Sequence, residues 1–208
     1  MTTFLIVRHG ETHWNVAGRL QGWHDSPLSA AGRAQAAAVA DRLAREAVDA
    51  LVASDLGRAQ ATAAPIAAGL GLAIEPDRRL RERCYGVAEG LTWAEIEARH
   101  AEAYRRLVAR DQDYRVAEGE SGIEFRDRVF AAFERLAALH GDARVAVVTH
   151  GGVLGIVYRR AHGIALEMPR TFAVPNAALS RLRIEGRKWT VEDWADVAHL
   201  PAAALDDE

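Results

Sequence analysis

The chain has 208 residues, half of them hydrophobic and 26% charged, the balance of a folded globular chain that can bury one large core. Its net charge of −3 argues against a nonspecific nucleic-acid partner, which needs a basic surface. The single cysteine, Cys84, cannot form an internal disulfide. No apolar run approaches the ~20 residues of a membrane span, and Met1-Thr2-Thr3 does not begin a secretory signal. The expected location is the cytoplasm, with no membrane partner. The abundance of alanine, and a single lysine (Lys188) among 26 basic residues, read as codon bias of a GC-rich bacterial genome.

No repeat, low-complexity linker or charge block divides the chain. Phe4-Leu5-Ile6-Val7 is a short apolar run and predicts a strand buried on both faces. Ser29 to Ala47 predicts a helix with Ser29 as N-cap. Ala50–Ala53 is a second buried strand, and Ser54 or Asp55 offers a cap for a helix from about Gly57 to Ala68, ended by Gly69-Leu70-Gly71. Leu72–Ile74 predicts a third strand, and Trp93 to Arg110 a helix broken near His100. Ser121-x-x-Glu124 fits a capping box opening a helix to about His140. Arg144–Thr149 is the clearest strand; Gly151–His162 follows as a helix, then strands near Leu179–Ile184 and Trp189–Trp194. The tail from about Ala195, rich in alanine and acid, is expected to be mobile.

Strands alternating with helices imply one α/β domain over residues 1–208, a three-layer arrangement with a mostly parallel sheet covered on both faces. Ligands bind beyond the carboxyl ends of such strands, so the residues just after each strand carry the chemistry. They are Arg8-His9-Gly10-Glu11, Ser54 to Arg58, Arg79 to Arg83, and Thr149-His150-Gly151-Gly152. Two histidines, several arginines and a glutamate suit phosphoryl transfer through histidine. A neutral imidazole is a nucleophile near pH 7, arginine forks and helix N-termini hold phosphoryl oxygens, and a carboxylic acid can protonate the leaving oxygen.

Each residue also has an ordinary reading. Arg8 and His9 alone could be a polar strand end, Glu82 a solvated charge between Arg81 and Arg83, and His150 a core histidine. Arg58 is oddly placed, because a cation in a first helical turn opposes the helix dipole; an ion pair or a bound anion would account for it. Four such coincidences at consecutive strand ends favour the chemical reading. His9, His150 and Glu82 could also make a two-histidine, one-carboxylate metal set, but Arg8 and Arg58 would repel a divalent cation, so no metal is expected. Neither a dinucleotide-binding glycine pattern nor a P-loop follows the first strand.

These residues resemble the histidine phosphatase superfamily, in the branch that includes cofactor-dependent phosphoglycerate mutases. The resemblance runs through Leu5–Thr12 with Trp14-Asn15, Gly18–Gly22, Asp25–Ser29 with Gly32, Ser54–Ala63, Leu80–Glu82 with Gly86 and Glu89-Gly90, Gly119–Ser121 and Val148–Gly152. It implies a phosphoglycerate mutase-like fold with His9 as phosphorylated nucleophile, Arg8, Arg58 and His150 holding the phosphoryl group, and Glu82 as the acid–base residue. Asn15 and the Gly151 backbone would add hydrogen bonds, Gln21 and Gly22 would border the substrate, and Glu11 would orient the motif. His13, His24 and Cys84 receive no role.

Glu82 to Gly86 is similar to the mutase segment in which the Arg83 and Tyr85 positions help bind phosphoglycerate. Against a mutase, Gly90–Trp93 lacks the nearby lysine, the stretch from Trp93 to Gly119 is shorter than the mutase insertion, and the tail lacks lysines. Apart from Arg83 and Tyr85, no set of residues is evidently dedicated to a carboxylate, and the tail ends Asp206-Asp207-Glu208. A mutase must keep water from phosphohistidine, and fewer covering segments favour hydrolysis. The resemblance therefore implies a phosphatase acting on a small-molecule phosphate ester without a cofactor, closest in pattern to broad-specificity and α-ribazole phosphatases. The alternative is a phosphoglycerate mutase, which would need a 2,3-bisphosphoglycerate primer; a non-catalytic phospho-ligand-binding module is a third reading. A homodimer is one implied state, since phosphoglycerate mutase relatives often self-associate.

Overall fold

The computed structural model describes residues 1–201. Its strands are β1 (Thr2–Arg8), β2 (Ala50–Ala53), β3 (Ile74–Pro76), β4 (Arg144–Thr149), β5 (Leu179–Glu185) and β6 (Lys188–Asp196). Its helices are α1 (His13–Val16), α2 (Ala30–Leu43), α3 (Gly57–Leu70), α4 (Trp93–Arg99), α5 (Ala101–Val108), α6 (Gly122–Leu139) and α7 (Gly151–His162). The strands form one sheet in the order β3-β2-β4-β1-β5-β6. β1, β2, β3 and β4 run parallel, while β5 and β6 run antiparallel to their neighbours.

Strand alternation splits the core across the sheet. Phe4, Ile6, Val145 and Val147 face Phe133 and Leu136 of α6 and Leu154 and Val157 of α7. Leu5, Val7, Ala146 and Val148 face Val39 and Leu43 of α2 and Ala63 and Ile66 of α3. Both faces are buried, so β1 and β4 read as unbroken apolar runs in the sequence. A smaller core of Ala88, Ile96, Ala103 and Val116 supports α4 and α5 beside the sheet's functional edge.

Several boundaries differ from the sequence reading. α2 stops at Leu43, not Ala47, although the sequence keeps good helix formers. There the chain turns, and the partly buried Glu46 carboxylate is shared by Arg42, Arg144 and Arg181. The third strand is Ile74–Pro76 and not Leu72–Ile74. Leu72 N–H still donates to the Ala67 carbonyl, and the register with β2 begins at Ile74. As an edge strand it tolerates a proline that an interior strand would not. Neither Ser54 nor Asp55 caps α3: its N-cap is Leu56, and the Asp25 carboxylate, distant in sequence, accepts the Gly57 and Arg58 N–H groups. The chain also stays folded past Ala195. β6 runs to Asp196, His199 Nε2 bonds the Ala177 carbonyl at 3.0 Å, and Leu200 is buried. The rest of the expected tail, including Asp206-Asp207-Glu208, lies outside the described residues. Among the described residues no helix is long and apolar enough to cross a membrane.

Candidate active site

Parallel pairing brings the carboxyl ends of β1, β2 and β4 to one edge of the sheet, and a cavity of about 460 Å³ opens there. Arg8, His9, Asn15, Gln21, Gly22, Arg58, Glu82, Tyr85 and Gly151 line it, together with Arg170. Of the sequence-derived residues, His150 is wholly buried behind the cavity wall and Arg83 lies in an adjoining cavity.

His9 directly follows β1 and is clamped through its backbone. Its N–H donates to the Thr149 carbonyl at 2.9 Å, and its carbonyl accepts from Asn176 Nδ2 at 2.9 Å. The next peptide N–H, of Gly10, donates to Thr62 Oγ1 at 3.0 Å. His9 Nδ1 lies 2.8 Å from the Gly10 carbonyl oxygen. A carbonyl only accepts, so Nδ1 carries the proton and Nε2 keeps its lone pair. Burial, then the positive charges of Arg58 and Arg8, push the imidazole well below the ordinary histidine range. The ring is neutral at neutral pH.

His150 is the residue after β4 and the N-cap position of α7, with its ring 5.2 Å from that of His9. Its Nε2 bonds Ser54 Oγ at 2.8 Å, and its Nδ1 is buried without a partner among the described residues. Burial and Arg58 hold it, too, well below the ordinary range.

Arg58 is almost wholly buried in the first turn of α3. It donates to the carbonyls of Gly22 at 2.7 Å and His24 at 2.9 Å, and pairs with Asp25 at 2.8 Å. Its Nε has no partner among the described residues. The ion pair foreseen for this misplaced cation is therefore present, and one buried donor remains uncommitted beside the cavity. Arg8 donates to the Val174 carbonyl. Asn15 Oδ1 accepts from Thr12 N–H and Oγ1, both at 3.0 Å, which leaves Nδ2 as its uncommitted donor. Glu11 takes the Ser29 hydroxyl and lies outside the cavity lining.

Glu82 reaches the site from the loop after β3. Its two oxygens accept the N–H of Arg83 and of Gly152, each at 2.8 Å. A Cβ at Gly152 would collide with the Glu82 carboxylate, so any larger residue there would displace Glu82 from this position. Thr149 Oγ1 donates to the Leu80 carbonyl at 2.7 Å, tying β4 to this loop. Arg83 donates to the carbonyls of Glu120 and Tyr114 and stands over the Tyr85 ring. Tyr85 has its hydroxyl pushed up to about 12 by burial and the Glu82 charge, so it remains a hydrogen-bond donor.

Sequence reasoning missed the residues that hold this arrangement. Arg128 on α6 donates to the carbonyls of Arg79, Arg81 and Glu82 and pairs with Glu120. Glu89 is buried and accepts the N–H of Trp23, His24 and Tyr85, joining the Gly22 turn to the Glu82 loop. Glu89-Gly90 belongs to the motif pattern, but nothing in it signals three backbone donors. Arg170 carries no local signal: it sits in the loop before β5, and an antiparallel strand brings its amino end to this edge.

With two neutral histidines and uncommitted cationic donors, the cavity suits an anion. Among the described residues no three His, Cys, Asp or Glu side chains are grouped as metal ligands. The fold that builds this site is that of the histidine phosphatases. The chain belongs to the histidine phosphatase superfamily, branch 1, whose family model matches residues 4–197. It is 40% identical to phosphoglycerate mutase-like protein 4 of Arabidopsis thaliana, over 94% of this chain and 86% of the relative. Among solved structures, Bacillus stearothermophilus YhfR superposes with a TM-score of 0.90 at 31% identity, covering 97% of this chain and 100% of that one. The α-ribazole phosphatase of Shigella flexneri gives a TM-score of 0.86 at 27% identity, covering 93% of this chain and 96% of its own. Phosphatases and mutases thus both stand among its relatives.

Proposed function

We propose that the protein is a phosphatase that hydrolyses phosphate monoesters through a phosphohistidine at His9. The observation that carries this reading is the fixed His9 tautomer. Nδ1 is committed to the Gly10 carbonyl, so Nε2 is the nucleophilic atom of a ring that burial keeps neutral. Nε2 attacks phosphorus and the ester P–O bond breaks. Its electron pair stays on the leaving oxygen, which takes a proton from Glu82. Water then attacks the phosphohistidine, gives its proton to the Glu82 carboxylate, and frees inorganic phosphate and neutral His9. Arg8, Arg58, His150, Asn15 and the α7 N-terminus at Gly151 supply donors to the phosphoryl oxygens. The α7 amides and guanidinium groups thereby do the work that a metal does elsewhere.

The phosphatase reading is favoured over the mutase by the cover of the site. Trp93 lines the cavity and is 47% exposed, and no residue of the 195–201 segment lines it. His9 itself is buried, and on this reading water reaches the phosphorylated ring through the cavity mouth beside the half-exposed Trp93. Rapid quench with a radiolabelled phosphate ester tests both points. Acid-labile label is expected on the wild type and absent from His9→Ala, whose turnover falls by several orders of magnitude. The phosphoenzyme should discharge to water without an acceptor. A long-lived phosphoenzyme that discharges only onto phosphoglycerate makes the protein a mutase.

A further inference from the structure

Beside the cavity that holds His9 lies a second one of about 560 Å³. The two share a wall of Tyr85, Trp93, Gly151, Gly152 and Arg170. A volume of this size accommodates a sizeable organic group by itself, far more than a phosphoryl group. Its lining is divided in character. Trp93, Leu107, Phe125 and Ile156 give it an apolar side, and Arg110 and Arg170 give it a cationic one.

The cations are not neutralised. Neither the Arg110 nor the Arg170 guanidinium makes a hydrogen bond or ion pair among the described residues. Arg159, on the same wall, is fixed by bonds of 2.7 Å to the carbonyls of Ala165 and Met168. Its guanidinium is held below the ordinary arginine range by burial and then by Arg110 and Arg170, with Glu167 offsetting least. The carboxylate in the lining, Asp111, is already taken by Arg106 at 2.8 Å and by the N–H groups of Asp113 and Tyr114. Three guanidinium groups thus line one concave surface, Arg110 and Arg170 exposed on it, and no carboxylate of the lining is left to pair with them. Guanidinium groups in that setting bind carboxylate or phosphate oxygens.

We propose that the second cavity is a leaving-group subsite for a phosphate monoester whose alcohol part has an apolar body and a second anionic group, held by Arg110 and Arg170. The assignment rests on the phosphatase reading. It also amends the expectation that only Arg83 and Tyr85 could serve such a group. Arg83 is committed to two backbone carbonyls, whereas Arg110 and Arg170 come from the turn after α5 and the loop before β5. The second anion is unchanged by the reaction: the ester P–O bond breaks and the alcohol leaves with its distal charge intact.

The test compares three aryl phosphates of matched leaving-group acidity. One carries a neutral propyl tail, one an isosteric tail ending in a carboxylate, and one a tail ending in a phosphonate. The anionic esters should exceed the neutral one by about tenfold in kcat/KM, mostly through KM, with the advantage shrinking as salt screens it. R110Q/R170Q should bring the ratio to about one, and R110K/R170K should keep much of it. The better of the two anionic tails identifies which oxyanion the subsite favours. A wild-type ratio near one, or a ratio that R110Q/R170Q leaves in place, overturns the subsite while aryl phosphate turnover upholds the phosphatase reading. Absence of turnover and of phosphohistidine with all three esters overturns both.

Discussion

At the scale of single residues, chemistry here is set by what each polar atom is already bonded to. His9 is committed through Nδ1 and free at Nε2, and Asn15 is committed through Oδ1 and free at Nδ2. Glu82 is held 2.8 Å from the Gly152 N–H, at the mouth of α7, and the proposed reaction has it exchange a proton there with an oxygen on phosphorus. Glu82→Gln should therefore lower turnover of alkyl phosphates by about 10²–10⁴-fold and of aryl phosphates far less, because a phenolate leaves with little protonation. Equal losses on both substrate types would make Glu82 a positioning residue. Arg8 and Arg58 bear on metal dependence in the same way. Their charges stand where a divalent cation would have to sit, so dialysis against a chelator should leave kcat/KM unchanged. Loss that zinc or manganese restores would contradict this.

At the scale of elements, the site depends on bonds between segments distant in sequence. The N-terminus of α3 is the clearest case. Asp25 accepts two of its orphan N–H groups and pairs with Arg58, which also holds the Gly22 and His24 carbonyls. One carboxylate thus serves as helix cap, as counter-ion and as anchor of the Gly22 turn that lines the cavity. Asp25→Ala should cost on the order of 3 kcal/mol of stability, more than the usual worth of a lost cap, because it also leaves the buried Arg58 guanidinium without its counter-ion. It should also lower kcat/KM about tenfold, because Arg58 loses a fixed partner. Asp25→Asn keeps an acceptor for the helix but no charge for Arg58, so it should recover the cap's share of the stability and only part of the activity. Denaturant midpoints set beside kcat/KM separate the two effects.

At the scale of the whole molecule, the site opposes stability in acid. His9 and His150 are native in the neutral form, with both imidazoles held well below 6.5. The unfolded chain protonates them below about pH 6.5, so it binds more protons than the native state does. Stability therefore falls as pH drops through that range, and neither histidine contributes a slope above it. Between pH 7.5 and 5.5 the two together should remove about 2–3 kcal/mol, read from urea unfolding. The paired carboxylates Glu46 and Asp55 are lowered from 4.5 and 3.8, so their loss follows only in stronger acid. A flat stability between pH 7.5 and 5.5 would show that the buried histidines are charged in the native state.

The sequence by itself determined the order of the layers and the residues at the strand ends. Apolar runs such as Phe4–Val7 and Val145–Val148 are fully buried, and a run buried on both faces needs no partner to be recognised. The breaks are equally local: His100 divides α4 from α5, and Ser121 and Gly71 are caps that depend on a few neighbouring residues. Arg8, His9, Glu82 and His150 were legible because a parallel sheet delivers its carboxyl ends to one place. Tertiary structure decided the rest. The cap of α3 is Asp25, the end of α2 is set by arginines of β4 and β5, and β3 takes its register from β2. Arg170 is the sharpest instance. A reading of strand carboxyl ends passes over the loop before β5, and only the antiparallel pairing of β5 with β1 brings that loop to the cavity. Such contacts join residues far apart along the chain, and their energies exist only once the sheet has fixed the distance between them.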